Sequence, residues 1–73
     1  MSPRSRKLRD KFEWPEVVGK HGSAAEEVIR SENEELYTET IEPGIAIRPD
    51  FQVKRVRILL DEEGRVKETP RIG

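Results

Sequence analysis

The sequence predicts an α+β domain: one α-helix packed on a small mixed β-sheet, with a long extended loop between two strands. Three observations carry this. Apolar residues recur at helical spacing over 24–33, behind a candidate cap. Apolar and charged residues alternate through "KRVRIL" (54–59), as in a half-buried strand. Between these elements, "EPGIAIRPDFQVK" (42–54) opens on Pro43-Gly44 and shows neither a helical stripe nor a clean strand alternation.

Size and composition set the limits. The chain has 73 residues, of which 33% are apolar and 40% charged. That is one domain with a thin core. There is no cysteine, so neither a disulfide nor a thiolate metal site is available. No apolar run approaches membrane-spanning length and no signal peptide is visible, so the chain reads as soluble, with no compartment indicated. Net charge is −1 but unevenly spread: "MSPRSRKLRDK" (1–11) is basic, and Glu26 to Glu42 is acidic. The tail lacks aromatic residues to stack on bases, so it reads as a disordered basic terminus and not as a nucleic-acid or membrane-binding element. The folded domain is expected over 12–73.

Each element can be justified in order. In "FEWPEVVG", Trp14 is the largest apolar anchor, Pro15 opens a short helical turn and Gly19 closes it; Val17 and Val18 are expected to face inward. In "GSAAEEVIRSEN", Ser23 is a candidate N-cap with Glu26 three residues on, the pattern of a capping box. Ala25, Val28 and Ile29 form the apolar stripe and Asn33 is a plausible stop, so the helix is expected over 24–33. "LYTETI" (36–41) reads as a weak strand, since neither face is cleanly apolar. "RVRILL" is a clearer one, burying Val56 and Ile58. Glu63-Gly64 is a turn, and "RVKET" (65–69) is expected to return as a short antiparallel partner.

Catalytic chemistry is missing. The single His21 sits in a glycine-flanked turn with no oriented partners, and the glycines are too scattered for a phosphate loop. Asp61, Glu62 and Glu63 share a turn, where carboxylates are ordinarily solvated. The chain is not expected to be an enzyme, and no cofactor or metal is expected.

Four stretches resemble the potato inhibitor I family of serine-protease inhibitors: "WPEVVGK", the loop leaving "PG", "RVRI" after it, and "PRIG" at the end. The resemblance covers about residues 12–73 without a gap. It implies that the loop, 43–54, binds a protease as a substrate would, with the reactive bond at Pro49–Asp50. The implied protease-binding residues are Ile47, Arg48, Pro49, Asp50, Phe51 and Gln52. Arg55 and Arg57 map to the family's loop-supporting arginines, with Asp50 as their natural acceptor. The Gly73 carboxylate is a further candidate partner for an arginine. The implied partner is a serine protease, subtilisin- or chymotrypsin-like, bound by a monomer.

The sequence also departs from that pattern. Arg48 stands where the family usually has a threonine whose hydroxyl accepts from a supporting arginine. Gln52 replaces a common arginine. Pro49 occupies the position that fills the protease's primary pocket, and it has no N–H to donate. Thr38, Glu39 and Thr40 replace apolar residues of the first strand. Reduced potency and reduced stability are the expectations. The alternative reading is a non-inhibitory interaction or engineered scaffold protein with the same fold.

Overall fold

The computed structural model describes residues 11–73. A 3-10 turn, Pro15–Val17, leads to helix α1, Gly22–Glu32; strands β1, β2 and β3 follow at Tyr37–Ile41, Arg55–Leu59 and Arg71–Ile72. The expected basic tail, apart from Lys11, lies outside the described residues. Lys11 itself belongs to the packed structure: its ammonium pairs with Glu16 and with Glu32 Oε1, the latter at 3.0 Å.

The sheet is mixed, in the order β1-β2-β3. β1 runs parallel to β2, from Tyr37 opposite Arg55 to Ile41 opposite Leu59. β3 lies antiparallel on the other side of β2, with Val56 opposite Ile72. A parallel pair cannot be joined by a tight hairpin, because the chain must first travel back the length of the strand. Residues 42–54 make that return. The long loop is therefore a requirement of the topology.

The third strand is not where the sequence placed it. Within 65–69 only Val66 forms an isolated bridge to Leu60, with Lys67 N donating to Leu59 O at 2.8 Å. Asp61 N also donates to Arg65 O at 2.8 Å, so this bridge is fully bonded but only one residue long, and the backbone groups of Val66 face the other way. Val66 N donates to Lys20 O at 2.8 Å and Val66 O accepts from Gly19 N at 2.9 Å, so this backbone is tied to the segment before the helix. The chain reaches β2 again only at Arg71, which also bridges to Glu13.

The helix starts earlier than expected, at Gly22, with His21 as N-cap and no side-chain cap bond. Tertiary contacts replace the expected Ser23–Glu26 capping box. Gly22 N donates to Gly64 O at 2.9 Å. A Cβ on Gly22 would stand 3.0 Å from Leu60 Cδ2, so glycine is what lets the first turn pack there. The Glu26 carboxylate is engaged elsewhere: it accepts from the Thr38 hydroxyl at 3.1 Å. That bond joins α1 to β1, where the sequence expectation was only of lost apolar burial. Since Ser23 is not the cap, Ser23→Ala should change stability by less than about 0.5 kcal/mol, not the ~1 kcal/mol of a lost cap. Urea unfolding checks this. The C-terminal end agrees with expectation: Asn33 is the C-cap, and its Oδ1 accepts from Glu35 N at 3.1 Å.

The core lies between α1 and the sheet. Trp14, Val17, Ala25, Ile29, Val56 and Ile58 are fully buried, and Val28 packs partly against them. Trp14 Nε1 donates to Glu32 Oε1 at 2.9 Å, so its one polar atom is satisfied. Val18 does not join the core and is 44% exposed. Val17 takes the inward side of the short turn, and Val18, which is already extended at ψ 130°, is directed outward.

Candidate functional site

The return loop stands clear of the sheet. An open cleft of about 350 Å³ separates them, lined by residues including Ile41, Ile47, Asp50, Arg55 and Arg57. Apolar packing therefore does not hold this loop down. Two arginines do.

Arg55 and Arg57 alternate with buried Val56 along β2, which places both guanidinium groups on the loop side of the strand. Arg55 is 5% exposed and makes three bonds. Its Nε donates to the main-chain oxygen of Gly73 at 2.7 Å, and its Nη2 donates to Asp50 O at 3.0 Å and to Asp50 Oδ1 at 3.1 Å. Arg57 Nη1 donates to Arg48 O at 3.0 Å, and its Nη2 to Asp50 Oδ1 at 2.9 Å. These are charge-assisted bonds, the stronger kind. Arg57 Nε is buried without a hydrogen bond and faces Glu39 Oε1 at 3.9 Å.

Arg48 contributes through its backbone. Its side chain cannot accept a hydrogen bond, but its carbonyl accepts from Arg57 and also from Asp50 N at 2.9 Å. The second bond closes a three-residue turn centred on Pro49, whose ring already fixes φ near the value such a turn uses. The returning limb is pinned as well. The Tyr37 hydroxyl donates to Gln52 Oε1 at 2.6 Å, and Tyr37 N donates to Lys54 O at 2.9 Å. The Phe51 ring lies against Gly73, where a Cβ would meet Phe51 Cδ1 at 3.3 Å.

What the loop shows to solvent is mostly apolar. Ile45, Ile47, Phe51 and Val53 are 58%, 38%, 70% and 67% exposed, and Pro49 is exposed between them. Apolar residues thus occupy alternate positions from 45 to 53. Of the positions between them, Arg48, Asp50 and Gln52 are the ones that bond inward. Ile45, Val53 and Tyr37 were not among the sequence candidates. Ala46 hid the alternation by being apolar at a position that breaks it.

Hydrogen bonds from Arg55, helped by those from Arg57, hold the Asp50 carboxyl below the usual carboxylate range. A carboxyl with a depressed folded-state pKa contributes stability above its ordinary value of 3.8, and this is lost as pH falls through the depressed value. The loop should therefore stay clamped through neutral and mildly acidic pH and loosen only below 3.8. Asp50→Asn should loosen it at neutral and mildly acidic pH and remove the change on further acidification. Amide exchange of residues 47–52 across a pH series reads both effects.

The fold and this site define a small α+β unit that presents a clamped, solvent-exposed, strand-like loop. The sequence matches the Potato inhibitor I family over residues 5–73, and the chain belongs to that family. It is 38% identical to the inhibitor of trypsin and hageman factor of Cucurbita maxima, over 86% of this chain and 93% of that one. It is 36% identical to the subtilisin inhibitor CLSI-I of Canavalia lineata, over 86% of this chain and 95% of that one. Among solved structures, the bitter gourd trypsin inhibitor superposes with a TM-score of 0.82 at 40% identity, over 86% of this chain and 93% of that one. These relatives are named protease inhibitors, not enzymes, in line with the sequence expectation. Among the described residues, no helix is long and apolar enough to cross a membrane.

Proposed function

We propose that the protein inhibits serine-type endopeptidases as a monomer, offering residues 43–54 as a substrate-like loop with Pro49–Asp50 as the reactive bond. The enzyme needs an open cleft to admit a folded domain, as subtilisin- and chymotrypsin-like proteases have. One observation carries this reading. A single guanidinium, that of Arg57, bonds to Arg48 O on one side of Pro49–Asp50 and to the Asp50 carboxylate on the other.

That geometry explains how a peptide bond can be attacked without being consumed. The enzyme's serine oxygen bonds to the Pro49 carbonyl carbon. The bond from that carbon to the Asp50 nitrogen breaks, and the nitrogen leaves as an amine carrying the proton the serine gave up. Arg57 holds the acyl side and Arg55 with Arg57 holds the amine side, so the two ends stay within reach. Reclosure is then effectively intramolecular and outruns hydrolysis. Affinity has the same origin: an already ordered loop loses little entropy on docking, and its main chain pairs with the cleft as an added strand.

Pro49→Leu tests the scaffold independently of proline. This variant should inhibit subtilisin or chymotrypsin at sub-micromolar concentration, with mass spectrometry showing slow cleavage at 49–50 alone. Rapid digestion at many sites, without inhibition, would falsify the reading.

A further inference from the structure

We propose that the target is a serine endopeptidase that cleaves after proline. This rests on the inhibitory reading above and concerns which residue enters the primary pocket. Three registers are conceivable around the clamp, with Arg48, Pro49 or Asp50 as the residue whose carbonyl is attacked. The hydrogen bonds separate them.

A carbonyl under attack must turn its oxygen into the enzyme's oxyanion-stabilising donors. Arg48 O already accepts two bonds, from Arg57 Nη1 and Asp50 N, which uses both of its lone pairs. The amine to be expelled there would also be that of a proline. A trypsin-type pocket for Arg48 is thereby disfavoured despite the right charge. Asp50 O accepts from Arg55 Nη2, and the Asp50 carboxylate lies between both arginines, so this side chain is not free to fill an acid-binding pocket. Pro49 O accepts no hydrogen bond among the described residues. Of the three carbonyls, it is the one left open, and it belongs to a residue that is exposed.

The pocket residue is then a pyrrolidine ring without an N–H. A protease that pairs its main chain with that N–H is left with an unmatched acceptor, worth about tenfold or more in affinity. A protease built to cleave after proline makes no such demand. The turn closed by Asp50 N on Arg48 O is one whose central residue takes a φ near that fixed by proline. Exposed Ile47 and Phe51 on either side, with Ile45 and Val53 beyond, add that the neighbouring subsites are apolar.

The test compares the full chain with Pro49→Leu against five enzymes. One is a post-proline serine endopeptidase able to digest intact proteins; the others are subtilisin, chymotrypsin, trypsin and pancreatic elastase. Circular dichroism confirms that both proteins are folded. The expected result is that the unaltered chain inhibits the post-proline enzyme at least about tenfold more tightly than the other four, with cleavage confined to 49–50. Pro49→Leu should reverse the order, losing about tenfold there and gaining about tenfold on subtilisin. Tightest inhibition of any other enzyme by the unaltered chain overturns the proposal, as does cleavage after Arg48. If only Pro49→Leu inhibits, the inhibitory scaffold stands and the proline-pocket assignment falls. If neither protein inhibits any enzyme, both fall.

Discussion

Arg55→Ala should weaken protease inhibition by about a hundredfold and turn the loop into an ordinary substrate. Two of the bonds lost hold the Asp50 side of the Pro49–Asp50 bond, and the third ties the loop's foot to Gly73. Bonds of this charge-assisted kind are individually worth about 1.5–3 kcal/mol. Because Arg55 is itself buried, its removal also opens a gap beneath the loop. A stability loss of about 2–4 kcal/mol is expected by urea unfolding. The informative readout is the ratio of inhibition to loop cleavage. A merely destabilised domain would be cut throughout, whereas a released loop would be cut first within 47–52. Arg55→Lys should not rescue it, since one ammonium cannot reach Gly73 and Asp50 with the geometry of a planar fork. Unchanged inhibition in Arg55→Ala would show that the loop is held by something other than this clamp.

Trp14→Ala should have the largest effect on the fold, about 3–5 kcal/mol. Trp14 is the largest fully buried side chain, and it joins the turn before α1 to the helix end through Glu32. A domain of this size has little more stability than that to lose, so much of the variant should be unfolded at 37 °C. Trp14→Phe keeps most of the apolar volume but leaves Glu32 without the indole donor, and should cost about 1–2 kcal/mol. Thermal unfolding followed by circular dichroism distinguishes the two, because the chain has a single tryptophan and neither variant retains its fluorescence.

These two predictions mark two kinds of legibility. Ile29, Val56 and Ile58 could be read as core from periodicity, and Trp14 from its size, because burial of large apolar residues dominates the free energy wherever it is possible. The helix and the β2 strand were readable for the same reason, and the four family-like stretches indicated the loop. The Ser23 cap was not correct, although its local pattern was good. Gly22 under Leu60 and the Thr38–Glu26 bond bring in residues distant in sequence, and these outweigh a cap worth about 1 kcal/mol. The "RVKET" return is antiparallel as expected but only one bridge long, at Val66–Leu60, because the chain bends away at Glu68 and reaches β2 again only at Arg71.

By itself the sequence determined the class of domain, the identity of its core and the stretch that had to be a loop, since each depends on which side chains favour water and which turns the backbone permits. Only the tertiary structure decided how that loop is held. The parallel pairing of β1 and β2 obliges residues 42–54 to cross back, and that crossing carries Arg48 O and Asp50 over the two guanidinium groups. A carbonyl left open between two that are bonded is a property of hydrogen-bond partners brought together in space. Alternation and charge along the chain do not encode it, because it depends on how the guanidinium groups of β2 meet the loop in space, with Arg55 itself oriented by Gly73 O.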